Sequence, residues 1–191
     1  MELIPDYPIE TARLRLRPFT RGDVDAVTAY RSREDVTRFL FDEPMSRQAC
    51  AEAVQARVGQ TSWTEEGDRI FLAVERADDA AMIGEVLLLL RSVESRQAEL
   101  GYTFNPDYFG RGYATEAARA MLRLGFEAGG MHRIFARCHA GNEASRRVMA
   151  RLGMRQEAHF REHLLVKGGW DEEIHCAILE DEWRAGTSRP A

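Results

Sequence analysis

The stretch YFGRGYATEA, from Tyr108 to Ala117, decides how the rest of the chain is read. Two glycines, Gly110 and Gly112, stand one residue apart just ahead of a run that reads as helix. Upstream, AELGYTF reads as a strand and NPDY as a turn, so the local order is strand, turn, glycines, helix. The first turn of a helix carries unpaired N–H groups and a partial positive charge, and glycines let an anion come close to them. Two readings stay open on the glycines alone: a pyrophosphate cradle, or a turn whose tight geometry needs glycine and nothing more. The stretch is not a P-loop, because no Lys-Ser/Thr pair follows the glycines. It is not a dinucleotide fingerprint either, because Thr115 stands where the third glycine would be.

Working outward, RLRLRPF (Arg13 to Phe19) alternates as a first strand with Leu14 and Leu16 on one face. Thr20 and Asp23 signal a helix start, and DVDAVTAYRS continues it. A second helix begins near Ser46, and the spacing predicts Ala49, Ala53, Val54 and Val58 on its apolar side. IFLAVER, MIGEVLLLLR and AELGYTF read as three strands. In the helix after the glycines, Ala114, Ala117, Ala118, Met121, Leu122 and Gly125 form one stripe, and Gly129-Gly130 ends it. RIFARC is a strand, NEASRRVMARLG a helix, and two strands flank the turn KGGWD. Strands grouped before the central helix predict an α+β fold: a mixed, largely antiparallel sheet of about seven strands flanked by helices.

The 191 residues fit one domain spanning 1–191, large enough to bury a core without disulfides or metals. A net charge of −5 argues against a nucleic-acid partner and weakly favours a cationic one, such as an amine. Cys50, Cys138 and Cys176 are widely spaced, which suits a reducing cytoplasm. MELIPDYPIE has neither the basic start nor the apolar run of a signal peptide. The longest apolar run, Val86 to Leu90, is too short to span a bilayer, so no membrane partner is expected.

Phe109-Gly110-Arg111-Gly112-Tyr113-Ala114 resembles motif A (Q/R-x-x-G-x-G/A) of the GNAT N-acetyltransferase superfamily, with Phe109 in place of the usual Gln or Arg. ELGYTFNPDYFGRGYATEA looks like the branch that includes the ribosomal-protein alanine and serine N-acetyltransferases. ETARLRLRPFTRGDVDAV, NEASRRVMARLGM and GGWDEEIHCAILEDEW resemble further pieces of that branch in the same order, covering nearly the whole chain. The resemblance implies a sheet splayed at its centre, acetyl-CoA as co-substrate, an amine acceptor (a protein N-terminus or a small amine) and no metal. A homodimer is compatible with it. It places pantetheine against Tyr102, Thr103 and Phe104, and the pyrophosphate on Gly110, Arg111, Gly112, Tyr113, Ala114 and Thr115.

Asn142 is a favoured helix N-cap and, by resemblance, also a cofactor contact. Ser145 matches a serine placed near the coenzyme sulfur as a proton donor, and is otherwise a first-turn serine in solvent. Glu99, three residues before Tyr102, resembles a strand glutamate used as base to deprotonate the attacking amine; a water relay or a solvated sheet charge are its alternatives. Arg147, with Arg146, could reach the 3′-phosphate or remain a solvated helix charge. Glu116 at the helix start reads as structural, stabilised by the helix dipole. His159 and His163, four apart on a strand, are too distant to share a metal. Acceptor walls are expected from Arg38 to Met45 and from the KGGWD hairpin. An active N-acetyltransferase and a non-catalytic acetyl-CoA-binding sensor or partner subunit are the two function classes left.

Overall fold

The computed structural model describes residues 2–40 and 42–187. Eight strands form one sheet: β1 (Ile9–Glu10), β2 (Leu14–Pro18), β3 (Arg69–Arg76), β4 (Met82–Ser92), β5 (Gln97–Phe104), β6 (Arg133–His139), β7 (Arg155–Val166) and β8 (Gly169–Leu179). Their order across the sheet is β1-β2-β3-β4-β5-β6-β8-β7. Every neighbouring pair is antiparallel except β5 and β6, which run parallel. The expected mixed, largely antiparallel sheet is therefore present. The strand missing from the expected seven is β1, two residues long and below any readable period.

Helices cover both faces. On one lie α1 (Val24–Arg31), the single turn α2 (Glu34–Thr37) and α3 (Arg47–Arg57); Val27, Tyr30, Cys50 and Val54 pack there against Phe19, Phe71 and Ala73. On the other lie α4 (Tyr113–Arg123) and α5 (Glu143–Arg151), with α6 (Glu180–Thr187) closing the described chain. Ala117, Ala118, Met121 and Leu122 of α4 join Leu88, Leu100 and Ile134 in the larger core. The stripe of α4 thus lies where its 3.6-residue period puts it. The helix continues as a π turn (Leu124–Ala128), in which a Cβ on Gly125 would come 2.6 Å from Ile134 Cδ1. Glycine here lets the helix rest directly on β6.

The apolar side of α3 is corrected. The helix begins at Ser46 as expected, with Ser46 Oγ accepting from Ala49 N at 3.1 Å, but its buried positions are Cys50, Val54 and Arg57, while Val58 is exposed. Position 57 faces inward because Glu85, 2% exposed, waits beneath it: Arg57 Nη1 donates to Oε2 at 2.7 Å, Tyr30 Oη at 2.9 Å, and Arg31 Nη2 lies 3.1 Å from Oε1. A hydrophobic period cannot reveal an arginine that is buried because it is paired. The helices α2 and α6 were also not legible. The first is one turn long, and the second follows a strand with no intervening glycine or proline.

Candidate active site

The parallel pair opens the sheet. Gln97, Ala98 and Glu99 of β5 register with Arg133, Ile134 and Phe135 of β6, and the pairing stops there. Beyond it, Tyr102, Thr103 and Phe104 remain paired to Val86, Glu85 and Gly84 of β4 on one edge. Their other edge has no strand partner among the described residues. This divergence is the expected splay, and it leaves backbone donors and acceptors of β5 that a ligand can satisfy.

The glycine stretch sits at the end of β5. Gly110 and Gly112 have φ of 77° and 82°, the left-handed region where side chains are strained. Nothing lies within 4 Å of a Cβ built on Gly110. Gly112 is the N-cap residue of α4, so the first-turn amides of Tyr113, Ala114 and Thr115 lie beside it without intrahelical acceptors. Thr115 Oγ1 is buried with no hydrogen-bond partner. Left-handed glycines, open space, free amides and an orphaned hydroxyl all fit a bound pyrophosphate.

Arg13, which the sequence did not single out, organises this loop. Its Nη1 donates to the Arg111 carbonyl at 3.0 Å, its Nε to Glu116 Oε2 at 2.7 Å, and its guanidinium lies 4.8 Å above the Tyr113 ring. Glu116 also accepts from the Arg13 amide (2.8 Å) and from Thr11 Oγ1 (2.7 Å), which ties the start of α4 to β2. Burial pushes the Glu116 carboxyl up, but these donors outweigh it and hold it below its ordinary value. A glutamate so fully engaged has the structural role its position suggested.

Across the splay, Asn142 caps α5 by accepting from Ser145 N at 3.0 Å. The cap turns Ser145 toward β5, where its Oγ lies 2.9 Å from Tyr102 Oη; the phenol also reaches the Ser145 carbonyl at 3.2 Å. Cys138 of β6 lies beside the same serine, and burial pushes its thiol up to about 11. Burial raises the Tyr102 phenol as well, against the opposing Ser145 hydrogen bond. Tyr102, Ser145 and Cys138 therefore form a chain of groups that keep their protons at neutral pH. Ser145 was visible in the sequence; its two partners as proton carriers were not, because they become neighbours only when the splay brings β5, β6 and α5 together. Arg147 is exposed, and Arg146 pairs with Glu143 at 2.7 Å.

Glu99 lies at the vertex of the splay, on the sheet face opposite α4. Both its oxygens are engaged: Oε1 accepts from Arg137 Nε at 2.8 Å and Oε2 from Arg91 Nε at 2.7 Å. On this face the segment after α1 meets the β7–β8 hairpin. Lys167 Nζ donates to the Thr37 carbonyl at 2.7 Å, and Phe39 lies against His139 with centroids 5.3 Å apart. Of the expected wall Arg38 to Met45, Phe41 lies outside the described residues, and Asp42 Oδ2 stands 3.8 Å from Arg31 Nη1. Trp170 of the hairpin is 64% exposed. His159 pairs with Glu172 and His163 with Glu173, and no group of side chains suited to a metal ion occurs among the described residues. None of the described helices is long and apolar enough to cross a membrane.

Comparison with known proteins agrees with this geometry. The model of the acetyltransferase (GNAT) domain matches residues 13–155. The chain is 33% identical over 175 residues to an N-acetyltransferase of Bacillus subtilis, YnaD, covering 92% of this chain and 98% of that one. It is 27% identical over 135 residues, 69% of each chain, to the ribosomal protein uS5 alanine N-acetyltransferase of Escherichia coli. A GNAT-family acetyltransferase crystal structure from Bacillus anthracis superposes with a TM-score of 0.81 at 31% identity, covering 91% of this chain and 98% of that one. The chain belongs to the GNAT acetyltransferase family, whose enzymes use acetyl-CoA as co-substrate.

Proposed function

We propose that this protein transfers the acetyl group of acetyl-CoA to a primary amine, by direct attack within a ternary complex. The observation that carries the reading is the alignment of three features along one opening: the left-handed glycines at the start of α4, the unpaired edge of Tyr102 to Phe104, and the Tyr102–Ser145 pair at the mouth. When bound, the thioester supplies the acetyl donor. In this reading Gly110 to Thr115 hold the pyrophosphate, and the backbone of Tyr102, Thr103 and Phe104 pairs with the pantetheine arm. A β5 amide there polarises the carbonyl. Asn142 orients Ser145 through its cap, and the Ser145–Tyr102 pair supplies a proton to the departing sulfur. Arg147 is the candidate contact for the 3′-phosphate.

The amine enters from the face bearing Glu99. An ammonium must lose a proton before it attacks. Glu99 is the candidate base, and a proton delivered to it competes with the guanidinium groups of Arg91 and Arg137. The acceptor is a protein N-terminus or a small amine; one relative acts on the alanine of a ribosomal protein. The test is thiol release from acetyl-CoA in the presence of an alanine-terminated peptide, a serine-terminated peptide and spermidine. Thiol release that requires both substrates supports the reading. Tight acetyl-CoA binding with no release on any amine overturns it in favour of a non-catalytic sensor.

A further inference from the structure

Glu173 is a carboxylate the reaction above does not use, and it is 2% exposed. It lies on β8, on the same sheet face as Glu99. His175 Nε2 and His163 Nε2 each stand 3.1 Å from its Oε2, and Arg137 Nη1 stands 3.3 Å from its Oε1. Arg137 also donates to Glu99, so one guanidinium joins the splay vertex to the Glu173 cluster. His175 registers directly opposite Arg137 across β8 and β6, which puts it one strand from the opening. His163 comes from the outer strand. The register of β7 slips between Phe160 and Leu164, with Glu162 at a φ of 52°, and this bulge returns His163 to Glu173. Such a bulge costs ladder pairing and backbone strain, and bulges that re-aim a side chain cluster at functional sites.

A carboxylate accepts hydrogen bonds, so each Nε2 facing Oε2 is the donor, and in a neutral ring the lone pair then sits on Nδ1. The His175 ring is held in place by Phe135, parallel at 6.4 Å, and by Phe160, edge-on at 4.8 Å. Both imidazoles are about a quarter exposed at the side chain, 27% for His175 and 29% for His163, while Glu173 is not accessible.

We propose that His175 Nδ1 is the group that takes the proton from the acceptor ammonium, with Glu173 and Arg137 as positioning residues and His163 completing the cluster. The inference rests on the acetyl-transfer reading and names the base for it. The ammonium gives one proton to Nδ1, and the freed lone pair forms the C–N bond as the C–S bond breaks. The sulfur is protonated as the amide nitrogen loses its second proton. Ammonium and thioester thus become amide, thiol and one proton, which His175 returns to solvent. The charged groups about the ring are Glu173 on its own strand, Arg137 opposite it on β6, and His163 of β7, which shares Glu173 with it; Arg137 in turn contacts Glu99. The His139–Asp171 pair, at 3.4 Å, lies further along the same face.

The experiment combines rates and tautomers. With the alanine-terminated peptide and spermidine as probes, His175→Gln is expected to lower kcat about 100-fold or more near neutral pH, with acetyl-CoA affinity unchanged. The loss narrows as pH rises and solution supplies deprotonated amine. Glu173→Gln removes the charge that stabilises the imidazolium, so the acidic limb of the rate profile moves to lower pH while kcat falls. His159→Gln, on the opposite face, leaves both unchanged. In the free wild type, nitrogen-15 spectra are expected to show neutral His163 and His175 as Nε2–H tautomers. An Nδ1–H tautomer for His175, or a His175→Gln enzyme with wild-type kcat and pH limb, overturns the inference while leaving acetyl transfer intact. Absence of thiol release by the wild type on every probe removes the acetyl-transfer reading and this base with it.

Discussion

Gly84→Ala tests how tightly the splayed strand is held. Gly84 registers with Phe104, and a Cβ built on it would lie 2.7 Å from the Thr103 carbonyl oxygen and 2.7 Å from Phe104 Cδ1. Neither neighbour can give way cheaply. The first is backbone in the β4–β5 ladder, and the second is a ring 6% exposed within the main core. Overpacking of this kind costs about 1–3 kcal/mol, and a clash with backbone belongs at the upper end, about 2–3 kcal/mol. For a chain of this size that lowers Tm by roughly 4–12 °C. The same displacement moves Thr103 and Phe104, the proposed pantetheine edge, so the folded fraction of the variant also binds acetyl-CoA more weakly. Urea unfolding read at constant m gives the first quantity and calorimetry the second. A stability change below about 0.5 kcal/mol, with unchanged affinity, would show that β5 shifts freely and would refute the reasoning.

The buried Glu85 gives a second stability prediction: Glu85→Ala strands Arg31 and Arg57 without their shared carboxylate and costs about 3–5 kcal/mol in urea unfolding. Asp23 gives a pH prediction. Burial pushes its carboxyl up, but hydrogen bonds from Arg17 and Thr20 prevail and hold it below the usual value. A carboxyl lowered in the folded state stabilises above its unfolded pKa and loses that contribution as pH falls through the folded one. The gap between wild type and Asp23→Asn is therefore full at neutral pH and closes below about pH 4. On the donor side, Ser145→Ala and Tyr102→Phe each lower kcat by about 10- to 100-fold with acetyl-CoA affinity retained, as single-turnover thiol release would show. Loss of affinity without loss of kcat would instead make the pair a binding element.

What the chain disclosed in advance follows from the range of each interaction. Local pattern exposed the stripe of α4, the alternation of β2 and the turn glycines ahead of α4, because each is set within a few residues. Asn142 was legible as a cap, and Ser46 as the neighbourhood of a helix start, for the same reason. Arg57 was not, since its inward position depends on Glu85 of β4 and on Tyr30 and Arg31 of α1, brought from two other segments. Arg13 likewise reads as one arginine in an alternating strand until β2 is laid beside α4. Glu99 was legible as a strand glutamate, but the guanidinium groups of Arg91 and Arg137 come from neighbouring strands, and strand pairing is invisible to a local pattern. Glu173 and its histidines lay inside a hairpin whose bulge no period announces.

Calorimetric titration with acetyl-CoA, of the wild type and of Gly112→Trp, tests the central claim most directly, with the fold of each checked by circular dichroism. Gly112 combines a φ of 82° with a position at the mouth of the α4 amides, so an indole there closes the cradle. The account predicts saturable binding by the wild type and none by the folded variant. A well-folded wild type that takes up no acetyl-CoA, or a folded variant that binds it equally well, would contradict the account.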